Sequence, residues 1–137
     1  MFFPIAIETG NENYAYSVAF PSIDGCYSAG DTLDEAIYNA KEAIELFFEV
    51  MAEDGIIPPS AITLEEAAKF EEYQDWKLTV IDIDMEPYLG KSSKINVTMP
   101  NLLSKKIDDV VKTNPKYKNR SSFLQLATMH ELGLTEV

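Results

Sequence analysis

Three polar residues near the end of the chain, Lys94, Asn96 and Thr98, occupy every second position of a short stretch. The positions between and after them carry the apolar residues Ile95, Val97 and Met99. Because strand side chains alternate between faces, burial of the apolar set turns the polar set outward. Lysine can donate to guanine, asparagine can pair with adenine, and threonine can contact either base in the major groove. The pattern therefore predicts that this strand pairs with its copy from a second protomer and forms a two-stranded ribbon that reads DNA. The alternative is a solvated edge strand.

A second group of residues is suited to bind phosphate. Ser121 is predicted to cap a helix, and the first backbone amides of that helix, at Ser121 and Ser122, are free to bind an anion. Arg120 adds a positive charge beside them, and Lys105 and Lys106 are predicted to make further non-specific phosphate contacts. The alternatives are an ordinary cap for the serines and a solvated surface position for each lysine.

Residues that could perform catalysis are dispersed along the chain. A metal-dependent nuclease needs several carboxylates that converge on divalent ions. The predicted strands offer Glu8, Asp82 and Asp84, but in positions that form no tight cluster. Cys26 and His130 could act as nucleophile and base only by meeting from different domains. The sequence therefore predicts no catalytic residue, no metal and no cofactor, with a metal-dependent nuclease as a remote alternative.

Charge divides the chain into two parts. Residues 1–90 contain 19 Asp and Glu and 3 Lys, a net charge of −16, whereas residues 91–137 contain 4 Asp and Glu and 8 Lys and Arg, a net charge of +4. This division predicts an acidic domain joined to a basic, DNA-binding one. An acidic surface attracts a basic protein, although the bland alternative is that these carboxylates only confer solubility.

Hydrophobic periodicity predicts an α+β protein. In the acidic part, we expect strands near residues 3–7, 14–20 and 26–29, a long helix over about 33–54, a short helix over about 63–72 and a strand over 76–84. The first strand should bury one face, and Pro4 favours an edge strand or a strand start. Gly55 should close the long helix. The predicted acidic domain is thus βββαβ, over residues 1–84.

The basic part is predicted to be a strand followed by two helices, over residues 94–137, after a linker at 85–93. The first helix should run from Asn101 to Thr113 and the second to Leu132. So few residues cannot build a core alone, so we expect an intertwined homodimer. The single cysteine allows no intrachain disulfide, and we expect neither a signal peptide nor a membrane span, which together predict a cytoplasmic protein.

Two stretches of the chain carry a family resemblance. Gly25-Cys26, Gly30-Asp31-Thr32 and Glu35-Ala36, followed by Asn39-Ala40, resemble the HicB antitoxin family in residue types and order. Pro21 departs locally, since it precedes the glycine by four residues instead of adjoining it. The second stretch, Lys94 to Ala127, looks like the ribbon-helix-helix tail that many HicB proteins carry, with the typical Arg120-Ser121 pair.

The resemblance implies a partial ribonuclease-H-like N-terminal domain that lacks the catalytic carboxylates of that fold. Such domains bind and mask HicA, a small basic ribonuclease toxin that cleaves mRNA, while the tail binds and represses the operator of its own operon. HicB proteins form dimers or tetramers. The residues then expected to contact the toxin are Glu42, Glu45, Glu49, Asp24 and Tyr27. The alternative from another class is a stand-alone transcriptional repressor without a toxin.

Overall fold

The computed structural model describes residues 1–134 and divides the chain into two compact units, Met1–Gly90 and Lys91–Val137. Residues 135–137, the end of the predicted C-terminal domain, lie outside the described residues. The helices and strands are β1 (Phe2–Glu8), β2 (Tyr16–Ala19), β3 (Tyr27–Gly30), α1 (Leu33–Glu53), α2 (Leu64–Ala67), β4 (Lys77–Asp82), α3 (Asn101–Thr113) and α4 (Arg120–Glu131). The predicted α+β class and the βββαβ order of the acidic part are confirmed.

Helix α1 begins and ends with the signals that its sequence contains. The Thr32 hydroxyl accepts a hydrogen bond from the backbone N–H of Glu35, which satisfies one of the free donors of the first turn. The chain leaves the helix at Gly55, whose φ of 73° lies in the left-handed region. One apolar stripe of the helix is fully buried, formed by Ala36, Ala40, Ile44 and Phe48. The predicted helix over 33–54 is therefore confirmed.

The sheet has the strand order β3-β2-β1-β4, and every neighbouring pair is antiparallel. Phe3, Ile5 and Ile7 of β1 belong to the same buried cluster as the α1 stripe. As a whole β1 lies between two strands, but near its start, at Pro4, it pairs with β4 alone, so the edge or strand-start position that Pro4 indicates holds locally. The pairing of β1 with β2 begins only at Ala6, so Pro4 lies outside that ladder, where a missing N–H costs little.

The opposite face of β1 is also buried, contrary to the prediction of one buried face. Pro4 and Ala6 are buried, and so is Ala19, the partner of Ala6 on β2. These residues lie outside the cluster that contains α1. Helix α2 contacts β4, and its Ala67 is fully buried as well. The sheet is therefore covered by α1 on one face and only in part on the other, where Tyr27 and Val80 stay 66% and 42% exposed.

The predicted short helix ends earlier than expected. Helix α2 stops at Ala67, and a single turn of 3-10 helix follows at Glu71–Tyr73. The side-chain amide of Gln74 donates to the backbone carbonyls of Ala68 and Phe70, at 3.0 and 2.8 Å. These bonds satisfy carbonyl groups that a continuing helix would have used, so the chain turns tightly instead.

Gly30 brings β3 close to the start of α1. A Cβ atom at this position would lie 2.4 Å from the backbone nitrogen of Ala36 and 2.8 Å from its Cα. No side chain fits at such distances, so the approach of strand and helix depends on the absence of one.

The first unit extends beyond β4. Met85 is buried, and the Tyr88 ring packs edge-on against Phe48, with 5.7 Å between centroids. The boundary between the units follows Gly90, inside the range 85–93 that the sequence predicts as a linker.

In the second unit, α3 and α4 contact each other, and α3 has the predicted bounds. Among its described residues, Ile107 and Leu134 are the buried apolar side chains. No helix within residues 1–134 is long and apolar enough to cross a membrane.

Candidate functional site

The residues predicted to read DNA bases are all accessible. Lys94, Asn96 and Thr98 are exposed, and the stretch around them has no strand partner within the described chain. The apolar residues between them are exposed too, with Ile95 at 79% and Val97 at 63%. A strand that pairs only with its copy in a second protomer would have this appearance in a single chain. Its pairing and its base contacts stay predictions.

The predicted cap of α4 is wrong by two residues. Asn119 is the N-cap, and its side-chain oxygen accepts a hydrogen bond of 2.8 Å from the backbone N–H of Ser122. Arg120 and Ser121 are therefore the first residues of the helix. Because the Ser122 amide already has a partner, the amide of Ser121 is the better placed of the two to bind a phosphate.

Arg120 is engaged by a carboxylate instead of standing alone. Its guanidinium donates two hydrogen bonds to Asp108 of α3, from Nε at 2.9 Å and from Nη2 at 2.6 Å. These bonds hold the pKa of Asp108 below its ordinary value. Such a bidentate pair fixes the plane of the guanidinium. A phosphate at the start of α4 would have to share Arg120 with Asp108 or displace Asp108 from it.

Lys105 and Lys106 are exposed on α3. They line a shallow, open depression on that helix together with Leu102, Asp109, Val110 and Thr113. Leu102 is 81% exposed, which is unusual for leucine in a folded unit. The two lysines therefore border an uncovered apolar surface, and their contact with phosphate stays a prediction.

The carboxylates considered for metal catalysis do not converge. Asp82 pairs with Phe2 at the start of β1, whereas Glu8 stands at the other end of the same strand, about 20 Å away at the usual rise per residue. Asp84 follows β4, where it accepts a hydrogen bond from the Glu86 amide. Within residues 1–134, no group of three His, Cys, Asp or Glu side chains is placed to hold a metal ion. Cys26 is buried in the first unit, and His130 is exposed in the second.

Three of the residues predicted to bind the toxin lie on α1. Glu42 and Glu49 are exposed, while Glu45 is half-buried and lies 4.0 Å from the ammonium of Lys41. Burial raises the pKa of Tyr88, and the charges of Glu45 and Glu49 raise it further, so both carboxylates lie near that ring. The sequence interpretation missed exposed apolar side chains that follow the same helix at four- and eight-residue spacing, namely Tyr38, Leu46 and Val50.

The other two predicted residues, Asp24 and Tyr27, lie elsewhere. Tyr27 pairs with Ala19, which pairs with Ala6, so these side chains share the face of the sheet opposite α1. Burial raises the pKa of Tyr73, and charges at Glu72, Tyr27 and Asp24 raise it further. Tyr27 and Asp24 are therefore close enough to Tyr73 for their charges to act on it. Of the predicted residues, Tyr27 lies on the sheet face opposite α1, whereas Glu42, Glu45 and Glu49 lie on α1.

Aromatic residues of the 70–76 segment were missed by the sequence interpretation. The ring centroids of Phe70 and Tyr73 are 6.3 Å apart, and those of Tyr73 and Trp76 are 5.1 Å apart. Their three-residue spacing is the signal that could have identified them, because side chains recur every three residues in a 3-10 turn.

Together, these surfaces define a class of binding protein that combines an acidic α+β unit with a small basic helical unit. Within that class, the chain belongs to the HicB-like antitoxin family of bacterial toxin–antitoxin systems, whose family model matches residues 3–128.

Individual proteins are also similar to this chain. An uncharacterized 14.9 kDa protein of Haemophilus phage HP1 is 49% identical over 129 residues, covering 93% of this chain and 96% of the phage protein. The crystal structure of the Burkholderia pseudomallei antitoxin HicB superposes with a TM-score of 0.72 at 34% identity, covering 96% of this chain and 98% of that one. A chain of the HicA3 and HicB3 toxin–antitoxin complex gives a TM-score of 0.53 at 29% identity, covering 61% of this chain and 99% of that one.

Proposed function

We propose that this chain is an antitoxin that binds and neutralises a HicA-type mRNA-cleaving ribonuclease through its first unit. The observation that carries the proposal is the family match over residues 3–128, which spans nearly the whole chain. A related antitoxin, HicB3, is described in complex with its toxin HicA3. The charge of −16 over residues 1–90 suits a basic partner, and neutralisation acts by occlusion of the toxin's active site.

The second unit represses the antitoxin's own operon as a ribbon-helix-helix dimer. Support comes from the alternation of polar and apolar residues over Lys94–Met99 and from the uncovered Ile95 and Val97. Two protomers would bury these apolar side chains against each other and present Lys94, Asn96 and Thr98 to the major groove. Arg120, Ser121, Ser122, Lys105 and Lys106 would contact phosphates. The dimer can assemble further into a tetramer.

We assign toxin binding to residues 1–84, the linker to residues 85–93 and DNA binding to residues 94–137. We expect the protein to act in the cytoplasm. Since Met85 and Tyr88 pack in the first unit, a fragment that tests toxin binding should end at Gly90. The partial ribonuclease-H-like description of the first unit rests on the family resemblance.

Co-purification with the product of the adjacent small reading frame tests toxin binding. We expect a stable complex with the full chain and with residues 1–90, and suppression of the RNA cleavage by the partner. If no toxin gene lies beside the gene for this chain, a stand-alone repressor is favoured. RNA cleavage by this chain alone, dependent on Mg²⁺ or Mn²⁺, would favour the nuclease alternative.

Asn96→Ala tests the division of labour. Loss of a bidentate contact to adenine should weaken operator binding by about 1–3 kcal/mol per contact and relax the preference at one base pair. Binding of the toxin should not change. Titration of labelled operator DNA and of the toxin measures both. Equal operator affinity for the variant and the wild type would refute the strand assignment.

A further inference from the structure

Four aromatic side chains are gathered at the face of the sheet opposite α1. We call Tyr27, Phe70, Tyr73 and Trp76 the aromatic patch. Phe70, Tyr73 and Trp76 form a chain of tilted and edge-on contacts at 6.3 and 5.1 Å. Tyr27 of β3 is on this face by its pairing with Ala19, and it is near enough for its charge to raise the pKa of Tyr73. Tyr27 is 66% exposed, and Phe70 is exposed as well. Tyr73 and Trp76 are half-buried, so the patch is neither a covered core cluster nor fully open, and each ring keeps an accessible part.

The backbone that carries the patch is held by many hydrogen bonds. The amide of Tyr73 donates to the Phe70 carbonyl at 3.2 Å, and the amide of Trp76 donates to the Tyr73 carbonyl at 3.1 Å. Gln74 binds the carbonyls of Ala68 and Phe70 with its side chain. Tyr27 is held in the ladder between β2 and β3. A partner therefore meets rings that are already ordered, which lowers the entropic cost of binding.

The charges around the patch are mostly negative, with Lys69 and Lys77 at the two ends of the segment that carries it. Glu71, Glu72 and Asp75 lie between Phe70 and Trp76 in the sequence, with no cation among them. Asp24 is close enough to Tyr73 to act on its hydroxyl. Aromatic faces bordered by carboxylates bind a guanidinium or ammonium group, through the ring quadrupole and a charged hydrogen bond together.

We propose that the aromatic patch is the anchor site for a basic side chain, arginine or lysine, of the toxin, so that the toxin docks on the sheet face opposite α1. This inference rests on the proposed toxin binding and specifies its site. The outer face of α1 is the rival surface, with Tyr38, Leu46 and Val50 exposed. The patch is favoured because it offers several ordered aromatic rings, the residue type that dominates interface energies, where α1 offers Tyr38 alone.

A pair of matched variants separates the two faces. Tyr27→Ala and Tyr38→Ala remove the same side chain from positions with nearly equal exposure, 66% and 65%, on opposite sides of the domain. Each variant is made in the full chain, and the purified product of the adjacent small reading frame is the probe. We expect Tyr27→Ala to raise the Kd about tenfold or more, as for an interface anchor, and Tyr38→Ala to change it less than about twofold. Glu72→Gln and Glu42→Gln repeat the comparison for charge, with the larger loss expected for Glu72→Gln.

A second readout reports on the patch directly. The chain has one tryptophan, Trp76, so incorporation of 5-fluorotryptophan places a single ¹⁹F label in the patch. We expect its resonance to shift when the unlabelled toxin is added, and the circular dichroism of each variant to match the wild type. An unmoved resonance, an unchanged Kd for Tyr27→Ala, or a larger loss for Tyr38→Ala would overturn the patch as the site while leaving toxin binding intact. A wild-type chain that does not bind the toxin at all would instead overturn the proposed function.

Discussion

The two units differ in how completely each buries its own apolar residues. In the first, α1 covers one face of the sheet, and Phe3, Ile44 and Phe48 are inaccessible to solvent. In the second, Ile107 and Leu134 are the buried apolar residues among those described, while Ile95 and Leu102 stand almost fully exposed. Hydrophobic burial is the main force that opposes chain entropy. The first unit can therefore fold as a single chain, and the second lacks most of the core that it needs.

Separation of the units should give the largest effect. We expect residues 1–90 to unfold with a midpoint that does not depend on protein concentration, because their core is complete in one chain. Residues 91–137 should lose their helical signal on about a hundredfold dilution, because folding is coupled to pairing. Circular dichroism of each fragment across a dilution series measures this. If residues 91–137 stay helical at every concentration, the proposed dimer is contradicted, and the two units do not differ in their ability to fold as single chains.

Phe48→Ala tests the completeness of the first core. Phe48 is fully buried between Phe3 and Tyr88, at centroid distances of 5.2 and 5.7 Å. Loss of the ring should lower the free energy of unfolding of the first unit by about 3–5 kcal/mol, through lost burial and the cavity left behind. Chemical denaturation measures the change. Tyr38→Ala on the exposed side of α1 is the control, expected within about 0.5 kcal/mol, and a similar loss for both variants would refute the packing described.

Cys26 makes the stability of the first unit sensitive to alkaline pH. Burial raises the pKa of its thiol to about 11, above the ordinary value of 9.0. The contribution of the protonated Cys26 thiol to the free energy of unfolding is fully present below pH 9, where the thiol is protonated in the unfolded chain as well. This contribution is lost as the pH rises to 11. The loss should approach about 2–3 kcal/mol. Cys26→Ala should remove this part of the pH dependence of the free energy of unfolding. Parallel curves for variant and wild type between pH 9 and 11 would contradict it.

The smallest expected effect concerns the charges of the second unit. Asp108→Asn removes the negative charge and one of the two oxygens that accept from Arg120, so the guanidinium is held more weakly and is freer to contact a phosphate. Operator affinity should rise a few-fold, and the salt dependence should steepen by about one phosphate contact. Asp109→Asn is the control, since it removes the same charge from the next residue without a bond to Arg120. Identical salt slopes for the two variants would show that Arg120 takes no part in DNA binding.

Local signals in the sequence are sufficient to predict the bounds of a helix when they act within that one helix. The Thr32 cap, the apolar stripe and Gly55 together define α1 within a residue, and α3 was predicted with its observed bounds. These features depend on neighbours in the sequence, such as the amide of Glu35 for the cap. The alternation of Lys94–Met99 is equally local, but its meaning depends on a second chain.

Features that depend on distant residues were missed. Pro4 indicated a free edge or a strand start, but no local signal shows that β1 as a whole is an inner strand, because its partner β4 lies seventy to eighty residues away in the sequence. The predicted cap of α4, Ser121, lies two residues after the observed one, Asn119. Serine and asparagine are both preferred at the N-cap, so residue type alone does not locate the start of the helix. The placement of Tyr27 on the sheet face opposite α1 follows from the register of β2 and β3, which no local pattern around Tyr27 reveals.

Gly30 should behave in mutational scanning like a core residue, although it has no side chain to bury. Any substitution places a Cβ against the backbone of Ala36, and backbone cannot move aside as a flexible side chain can. Every replacement, from alanine to tryptophan, should therefore be rejected about equally, whereas a position such as Phe48 should tolerate other large apolar residues. This uniform intolerance, independent of size and polarity, would identify a contact between two segments of main chain.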